Sequence, residues 1–296
     1  MPKTLIYLLS ITLMAIVFLA GNAVYADRIP ADEVEIVTPV YSPEPENFTP
    51  RFGEYVYAVS WQGIPAGTLE IRLAQSGNDY RIEASARTNK FIDFFYKLRF
   101  NTEAFVSAAT LHPRSSVYDS RQNKRRERTK IEFLPGGEIH STHEDHRGTV
   151  KELRFQPNNL TLDPFSAVFL ALSLTWEVGD TRVFDTFTGK SRYLVELTAV
   201  EKTTISVKGS DREAVVISPR VKNLTRKDPS EGEDKLRGAR IYVSTDPSRE
   251  ILRISGDVFI GTVDTEMISF LPSETGSALE SSPNDVPGAN ISEKIP

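Results

Sequence analysis

Short runs of β-branched and aromatic residues, separated by Gly, Pro, Asn and Asp, recur along residues 51–271. In the first run every second residue is bulky and apolar, which places those side chains on one face of a strand. They are Tyr55, Tyr57, Val59 and Trp61. Strands that follow one another this closely tend to pair with their sequence neighbours. The pattern predicts a mainly β domain, an antiparallel meander that forms an open or closed barrel resembling a half-barrel.

The same alternation, bounded by turn residues, predicts further strands throughout this region. The predicted strands cover residues 55–61, 68–74, 80–88, 97–106, 114–134, 138–146, 149–156, 181–187, 190–200, 203–208, 213–221, 238–245, 249–258 and 262–270. A length of about 220 residues suits one all-β domain. We therefore interpret residues 51–271 as a single β domain.

Residues 163–176 break the alternation, because they are apolar on nearly every face of a helix. Asp163 can accept hydrogen bonds from the first amides, and Pro164 suits the first helical position. A helix of this kind should be buried on most sides. We expect a buried helix near 164–176 that plugs or covers the barrel. A second apolar run, 91–96, predicts either a helical turn at one mouth of the barrel or a loop that covers the core.

The two ends of the chain differ in composition from the β domain. Residues 1–26 contain one positive charge, an apolar run and small residues before Asp27, which predicts a cleaved signal peptide. An uncleaved membrane anchor is the alternative. Residues 27–50 are a Pro-rich linker with six acids against one Arg, and residues 272–296 carry four acids against one Lys. Both compositions favour disorder.

The chain contains no cysteine, which excludes a lipid-modified cysteine, a disulfide scaffold and a thiolate metal site. After signal cleavage the sequence thus predicts an exported protein that is neither a lipoprotein nor an integral membrane protein. The formal net charge of −5 comes from the acidic ends, so the β domain is close to neutral. A near-neutral domain does not favour nucleic-acid binding.

Five segments occur in a characteristic order. They are GEYVYAVSWQGIPAGTLEI (53–71), DPFSAVFLAL (163–172), VGDTRVF (178–184), SRYLVELTAVEK (191–202) and IYVSTDPSREILRISGDVFIGTVDTEM (241–267). Together they resemble the DUF3108 family of envelope proteins from Gram-negative bacteria, over nearly all of residues 52–271. The last segment departs slightly, since Pro247 precedes Arg249 and residues 250–252 replace a later Pro. The resemblance implies a signal-bearing periplasmic protein of antiparallel strands, and it implies no catalytic residues.

Aromatic residues near the first strand and the predicted helix are candidates for an apolar ligand pocket. If the sheet and the helix leave a gap, five residues could line it: Tyr57, Trp61, Phe95, Phe165 and Phe169. The ligand would be an apolar or amphipathic envelope component, either a lipid or a glycan. Core packing accounts for the same residues without a ligand.

A basic run precedes and enters a predicted strand near residue 125. On a strand, Lys124, Arg126, Arg128 and Lys130 share one face. Such a row suits the phosphate or carboxylate groups of lipopolysaccharide, phospholipid or an acidic glycan. The alternatives are a solvated outer face that blunts edge pairing, or a docking surface for an envelope protein.

Three histidines, His140, His143 and His146, are weak candidates for a transition-metal site. Residues 135–137 and Gly148 predict a hairpin, in which His143 points away from the other two. One flat strand cannot gather all three, and the spacing matches no established metal signature. An exposed polar hairpin is the alternative, and we expect no cofactor.

No nucleophile elbow, phosphate loop or zinc-protease motif occurs in the sequence. The residues therefore favour a periplasmic, non-enzymatic binding protein. The alternative is an envelope assembly scaffold that binds a protein or a polysaccharide, and a hydrolase with a site at the barrel mouth has less support. The charged loop 227–237 is expected to border a ligand entrance.

Overall fold

A computed structural model describes residues 48–225, 238–257 and 261–273. The predicted signal peptide, the loop 227–237 and nearly all of the linker and the tail lie outside the described residues. The elements are β1 (Gly53–Trp61), β2 (Ile64–Ser76), β3 (Asp79–Thr88), α1 (Lys90–Asp93), β4 (Leu98–Ser107), β5 (Pro113–Gln122), β6 (Arg125–Phe133), β7 (Ile139–Glu144), β8 (Val150–Phe155), β9 (Thr161–Leu162), α2 (Pro164–Ser173), β10 (Thr181–Phe187), β11 (Arg192–Val207), β12 (Ser210–Asn223), β13 (Arg240–Ser244), β14 (Ile251–Asp257) and β15 (Thr262–Pro272). No helix among these described residues is long and apolar enough to cross a membrane.

Within the described residues, the strands form one 15-stranded sheet with the order β8-β7-β6-β5-β4-β3-β2-β1-β15-β14-β13-β12-β11-β10-β9. The two edge strands, β8 and β9, follow each other in the chain and are joined only by residues 156–160. That connection can span about 20 Å. A flat sheet of this many strands would be about 65 Å wide. The sheet must therefore curl until its edges approach, which confirms the predicted barrel-like antiparallel meander.

Alternate residues of the first strands face the interior, as the pattern predicted. Tyr55, Tyr57 and Val59 of β1 are buried, and the intervening residues are only partly so. At its far side β1 pairs with β15, so the first and last strands of the domain meet in the middle of the sheet. Consequently the folded domain begins and ends at the centre of one continuous sheet.

Helix α2 lies inside the curled sheet, where its apolar composition predicted it. The carboxylate of Asp163 caps the helix by accepting from Ser166 N at 2.8 Å. Phe165 and Phe169 pack into the larger apolar cluster, and Leu170 packs into a second one. The helix thus contributes side chains to two apolar clusters.

Two differences from the predicted strands have a local cause. The predicted strand 114–134 is two strands, β5 and β6, because Asn123 adopts a left-handed conformation (φ 55°) that Asn tolerates in a turn. The predicted strands 190–200 and 203–208 are one strand, β11, in which the register shifts between Ala199 and Glu201. A bulge of this kind interrupts the alternation from which strands are predicted.

The hairpin between β10 and β11 enters the interior, which the sequence did not indicate. Every residue from 184 to 193 is buried. Gly189 has φ +85°, and a Cβ there would lie 2.2 Å from Cγ2 of Thr129 on β6. The Ser141 hydroxyl of β7 donates to the Gly189 carbonyl at 2.6 Å. The tip of this hairpin is therefore seated against the inner face of β6 and β7.

Candidate ligand-binding site

An apolar pocket of ≈ 90 Å³ lies between the inner face of the first strands and helix α2. One wall is formed by β1, β2 and β3, including Tyr57 and Leu73, and the opposite wall by Phe165, Phe169 and Leu172 around α2. The wall side chains alternate along each strand with outward-facing residues, so the strand period itself creates this apolar surface. The pocket can hold an apolar group without leaving a buried polar atom unpaired.

Residues 48–50 close one side of the pocket. Phe48 is buried, and its ring meets the Phe169 ring edge-on at a centroid distance of 5.9 Å. The Phe169 ring also lies 5.5 Å from that of Tyr80. The backbone of Thr49 donates to the Pro247 carbonyl at 3.2 Å. The segment that leads into β1 thus completes the apolar lining with a single inserted ring.

The mouth of the pocket is polar and is centred on the buried carboxylate of Glu250. Arg51 and Arg212 each donate to it at 3.1 Å. Arg212 also pairs with Asp246 at 2.5 Å. Such charge-assisted bonds offset the cost of burying a carboxylate. The arrangement places an ordered group of charges directly beside the apolar lining.

Two tyrosine hydroxyls point toward this mouth and donate to backbone carbonyls. Tyr55 donates to the Arg51 carbonyl at 2.7 Å, and Tyr57 donates to the Ile251 carbonyl at 3.0 Å. Burial raises the pKa of both hydroxyls well above the usual value for tyrosine. Both phenols therefore remain neutral hydrogen-bond donors.

Arg249 connects the mouth to helix α2. Its guanidinium donates to the carbonyl of Leu172 at 3.2 Å and to that of Leu174. Both carbonyls lie at the C-terminal end of the helix, where a positive charge is favourable. Arg249 itself is left-handed (φ 44°) in the turn between β13 and β14. A movement of this turn would therefore move the end of α2.

The structure brings together three of the five aromatic residues predicted to line a pocket. Tyr57, Phe165 and Phe169 line it. Trp61 lies at the end of β1, half-buried against the larger apolar cluster and away from the pocket. Phe95 is exposed on the loop after α1. Glu250 and its arginine partners were missed, because their contacts join segments far apart in the chain and leave no local pattern.

The predicted basic row lies on the outer face of the sheet. Arg126, Arg128 and Lys130 are exposed on one face of β6, and Lys124 lies in the turn before it. The Arg126 guanidinium is 2.6 Å from Asp119, and the Lys130 ammonium is 2.9 Å from Glu132. Two cations of the row are thus already paired with carboxylates.

A larger depression, of ≈ 510 Å³, lies on the same outer face and includes Arg128. Its charges pair with one another: Arg72 with Glu54 at 3.1 Å, and Arg81 with Glu103 at 2.7 Å. Mutual pairing of solvated charges leaves little net field for a ligand. We therefore take the smaller apolar pocket as the candidate site.

The three histidines lie in different environments. His143 faces inward from β7 and is buried, with Nδ1 2.9 Å from the Thr129 hydroxyl. Burial, and then the positive charge of Lys190, lowers the pKa of His143 to about 4. His140 lies on the opposite face of β7, and His146 is in the following turn. Among the described residues, no three or more His, Cys, Asp or Glu side chains are grouped to hold a metal ion.

The buried hairpin tip carries a second polar cluster that sequence reasoning did not find. The Nε atom of Arg192 lies 2.9 and 3.0 Å from the two carboxylate oxygens of Asp185, and both residues are fully buried or nearly so. The buried ammonium of Lys190 lies 2.9 Å from Glu127 on β6. These pairs hold the tip against the sheet, and they lie apart from the apolar pocket.

Comparison with known proteins finds one family and one β-barrel-like fold that are both described as of unknown function. Residues 56–268 match the family described as protein of unknown function DUF3108. No curated protein matches the chain. A β-barrel-like protein of the domain of unknown function DUF1849 from Brucella abortus is similar over 77% of this chain and 100% of its own, with 9% identity and a TM-score of 0.53. A protein with a YmcC-like fold from Bacteroides fragilis matches 78% of this chain and 100% of its own, with 8% identity and a TM-score of 0.31.

Proposed function

The chain belongs to the DUF3108 family, and we propose that it is a periplasmic, non-enzymatic binding protein for an apolar or amphipathic envelope molecule. The observation that carries this proposal is the apolar pocket enclosed by β1–β3 and α2. Ligand sites are typically apolar clefts with a few placed polar groups, and this pocket has both parts. The charged group around Glu250 supplies the polar part.

The size of the pocket suggests how a ligand would enter. Its volume of ≈ 90 Å³ is below the roughly 300–1,000 Å³ of ordinary small-molecule sites. Phe48 fills the adjoining space as part of the larger apolar cluster, with its ring against Phe169 and the Thr49 backbone bonded to the Pro247 carbonyl. We propose that a lipid acyl chain takes the place of the Phe48 ring, so that residues 48–50 act as a removable plug.

The charges at the mouth favour an amphipathic ligand over a wholly apolar one. Arg51 and Arg212 lie together at the mouth, where both donate to the carboxylate of Glu250. An acidic or phosphorylated head group at this position would accept charge-assisted hydrogen bonds from the arginines. The acyl chain of such a molecule would lie along Tyr57, Phe165 and Phe169.

The periplasmic location and the lack of enzymatic activity rest on the sequence. Residues 1–26 have the composition of a cleaved signal peptide, and a lipoprotein would need a cysteine that the chain does not contain. The tyrosine hydroxyls near the pocket are committed to backbone carbonyls. No catalytic motif supports a hydrolase at the mouth.

A fluorescent fatty acid, cis-parinaric acid, tests the pocket directly. We expect the wild-type protein to bind it, and Phe48→Ala to bind it more tightly because the plug is lost. Val168→Trp should weaken binding at least about tenfold, because the indole fills the pocket from α2. Titration of the fluorescence gives the Kd for each variant.

Val178→Trp is the matched control, since the same side chain is then placed on an exposed residue outside the pocket. It should bind like the wild type. Unchanged binding by a folded Val168→Trp variant would show that the pocket is not the site. Native mass spectrometry of the protein isolated from the periplasm would then identify any retained lipid or glycan.

A second candidate function is an envelope assembly scaffold that uses the basic row on β6. The exposed alignment of Arg126, Arg128 and Lys130 favours it, although two of these cations have carboxylate partners. Arg126→Glu combined with Arg128→Glu should then remove an envelope protein or polysaccharide from pull-downs. The same variant should leave fatty-acid binding unchanged.

A further inference from the structure

We propose that the loop between β3 and β4 docks the protein on an anionic lipid surface, which goes beyond the ligand-binding function proposed above. Three large apolar side chains project from this loop into solvent: Phe91 is 61% exposed, Phe94 85% and Phe95 52%. Their rings contact one another, with centroid distances of 5.9 Å for Phe91–Phe95 and 5.0 Å for Phe94–Phe95. A contiguous exposed apolar patch marks an interaction site, unlike a single exposed side chain.

The loop holds these rings outward because its other residues are anchored. Ile92 and Tyr96 are almost completely buried and lie one helical turn apart. Asn89 caps α1 by accepting from Ile92 N at 2.9 Å, and it donates to the Pro65 carbonyl at 2.6 Å. Asp93 pairs with Arg99 at 2.5 Å. The exposure of the rings is therefore built into a fixed loop.

Three lysines lie at the same end of the sheet as the phenylalanine patch. Lys90 and Lys97 flank it in the loop. The backbone of Lys97 exchanges hydrogen bonds with Asn123, at 2.8 and 2.9 Å, which brings Lys124 of the β5–β6 turn to the same end of the sheet. Within the part of the chain that the structure describes, no ion pair joins these three lysines to a carboxylate. The acid within the loop, Asp93, pairs with Arg99, and the charge of Lys97 also acts on it.

This combination fits a lipid surface better than a protein partner. Aromatic rings insert at the boundary between head groups and acyl chains, and unpaired lysines beside them attract anionic lipids. Interfaces between proteins are instead depleted in lysine. The pocket mouth lies at the other end of β1, near residues 48–51, so docking through this loop leaves the mouth facing away from the surface.

Labelling at single cysteines tests this docking, because the chain has no cysteine of its own. Phe94→Cys carries an environment-sensitive fluorophore, and Val178→Cys is the control at the opposite end of the sheet. With vesicles of phosphatidylglycerol and phosphatidylethanolamine, we expect a blue shift for the Phe94 label and none for the Val178 label. A label at Phe94 that stays in water would overturn the proposal.

Vesicle flotation gives an independent readout with unlabelled protein. Replacing Phe91, Phe94 and Phe95 by Ser should lower binding to the anionic vesicles at least about tenfold. Lys90→Glu with Lys97→Glu should also weaken that binding, by roughly tenfold or more, and high salt should weaken it in the wild type. Val178→Ser is the matched control and should float like the wild type.

The outcomes separate a lipid surface from the other candidates. Wild-type protein that does not float with anionic vesicles contradicts the proposal, as does a serine variant that floats like the wild type. Crosslinking of the loop to an envelope protein in the absence of vesicle binding would assign the patch to a protein partner instead. The fatty-acid binding of Val168→Trp tests only the apolar pocket, and its loss does not change how vesicle binding by the loop is interpreted.

Discussion

Helix α2 and the tip of the β10–β11 hairpin both enter the interior of the curled sheet, yet one is apolar and the other is charged. Around α2, Phe165, Phe169 and Leu170 pack into apolar clusters. At the hairpin tip, Lys190 and Arg192 are buried in the same domain with carboxylate partners. Two regions of one interior thus differ in composition: one is packed with apolar side chains, and the other contains buried ion pairs.

The backbone explains the difference. A helix satisfies its interior N–H and C=O groups by itself, so α2 can bury an apolar surface with only its ends capped. A turn leaves backbone groups unpaired, and the hairpin tip needs partners such as the Ser141 hydroxyl on the Gly189 carbonyl. Polar neighbours are therefore present where the tip lies and absent around most of α2. A buried helix can therefore line an apolar pocket, whereas a buried turn needs polar side chains beside it.

Breaking the buried ion pair of the hairpin should have the largest effect on stability. Arg192→Met leaves the Asp185 carboxylate buried without its cation, which should cost about 3–5 kcal/mol in the free energy of unfolding. Guanidinium denaturation measures this. The double variant Arg192→Met/Asp185→Leu should recover most of the loss.

Arg220→Met is the control for this prediction. It removes an exposed partner of Glu196 at 3.9 Å and should cost less than about 1 kcal/mol. If Arg192→Met and Arg220→Met lower the free energy of unfolding equally, the buried pair contributes no more to stability than the exposed one.

The charge state of His143 should make the hairpin side of the interior sensitive to acid. Its pKa is lowered to about 4 in the folded protein, so the unfolded chain takes up a proton first as the pH falls below about 6.5. The contribution of neutral His143 to the free energy of unfolding is complete above that pH and is lost as the pH falls toward 4. Between pH 7.5 and 4.5 the wild type should lose about 2–3 kcal/mol more than His143→Gln.

His140→Gln is the control for this pH dependence, because His140 lies on the opposite face of the same strand. It should lose stability with falling pH in parallel with the wild type. Chemical denaturation at each pH provides the comparison. If the stability of His143→Gln and that of the wild type depend on pH in the same way, the conclusion that His143 stays neutral in the folded protein is wrong.

The cap of α2 should have a smaller effect. Asp163 is buried and accepts from Ser166 N at 2.8 Å and from the Ser116 hydroxyl at 2.5 Å. Asp163→Ala removes the cap and leaves buried donors unpaired, which should cost about 2 kcal/mol. Asp163→Asn should cost less, because burial already raises the pKa of this carboxyl and penalises its charged form. An asparagine variant as unstable as the alanine one would contradict this account.

Much of the fold was predictable because its signals are local. The alternation in β1, the predicted strand 181–187 and the Asp163-Pro164 start of α2 each depend on residues within a few positions of one another. The shared face of Arg126, Arg128 and Lys130 followed from the same period. The pairing of Arg126 with Asp119 was not predicted, because it depends on which residues of β5 lie beside β6.

The candidate site was predictable only in part, for the same reason. Tyr57, Phe165 and Phe169 were found because apolar faces of a strand and a helix must meet. Phe95 was placed in the same group because it is aromatic, but its neighbours Ile92 and Tyr96 occupy the buried positions and leave it in solvent. The short stretch around Phe95 did not distinguish it from Phe165 and Phe169, which are buried.

The mainly β domain with one buried helix could be predicted from the chain alone, because strand and helix periods are properties of a few adjacent residues. Three features became visible only in the folded protein: residues 184–193 are buried, Glu250 lies between Arg51 and Arg212, and Phe48 closes the pocket. Each of these depends on the curl of the sheet, which brings together segments more than thirty residues apart. Contacts of that kind follow from the packing of the whole chain and leave no mark in any short stretch of it.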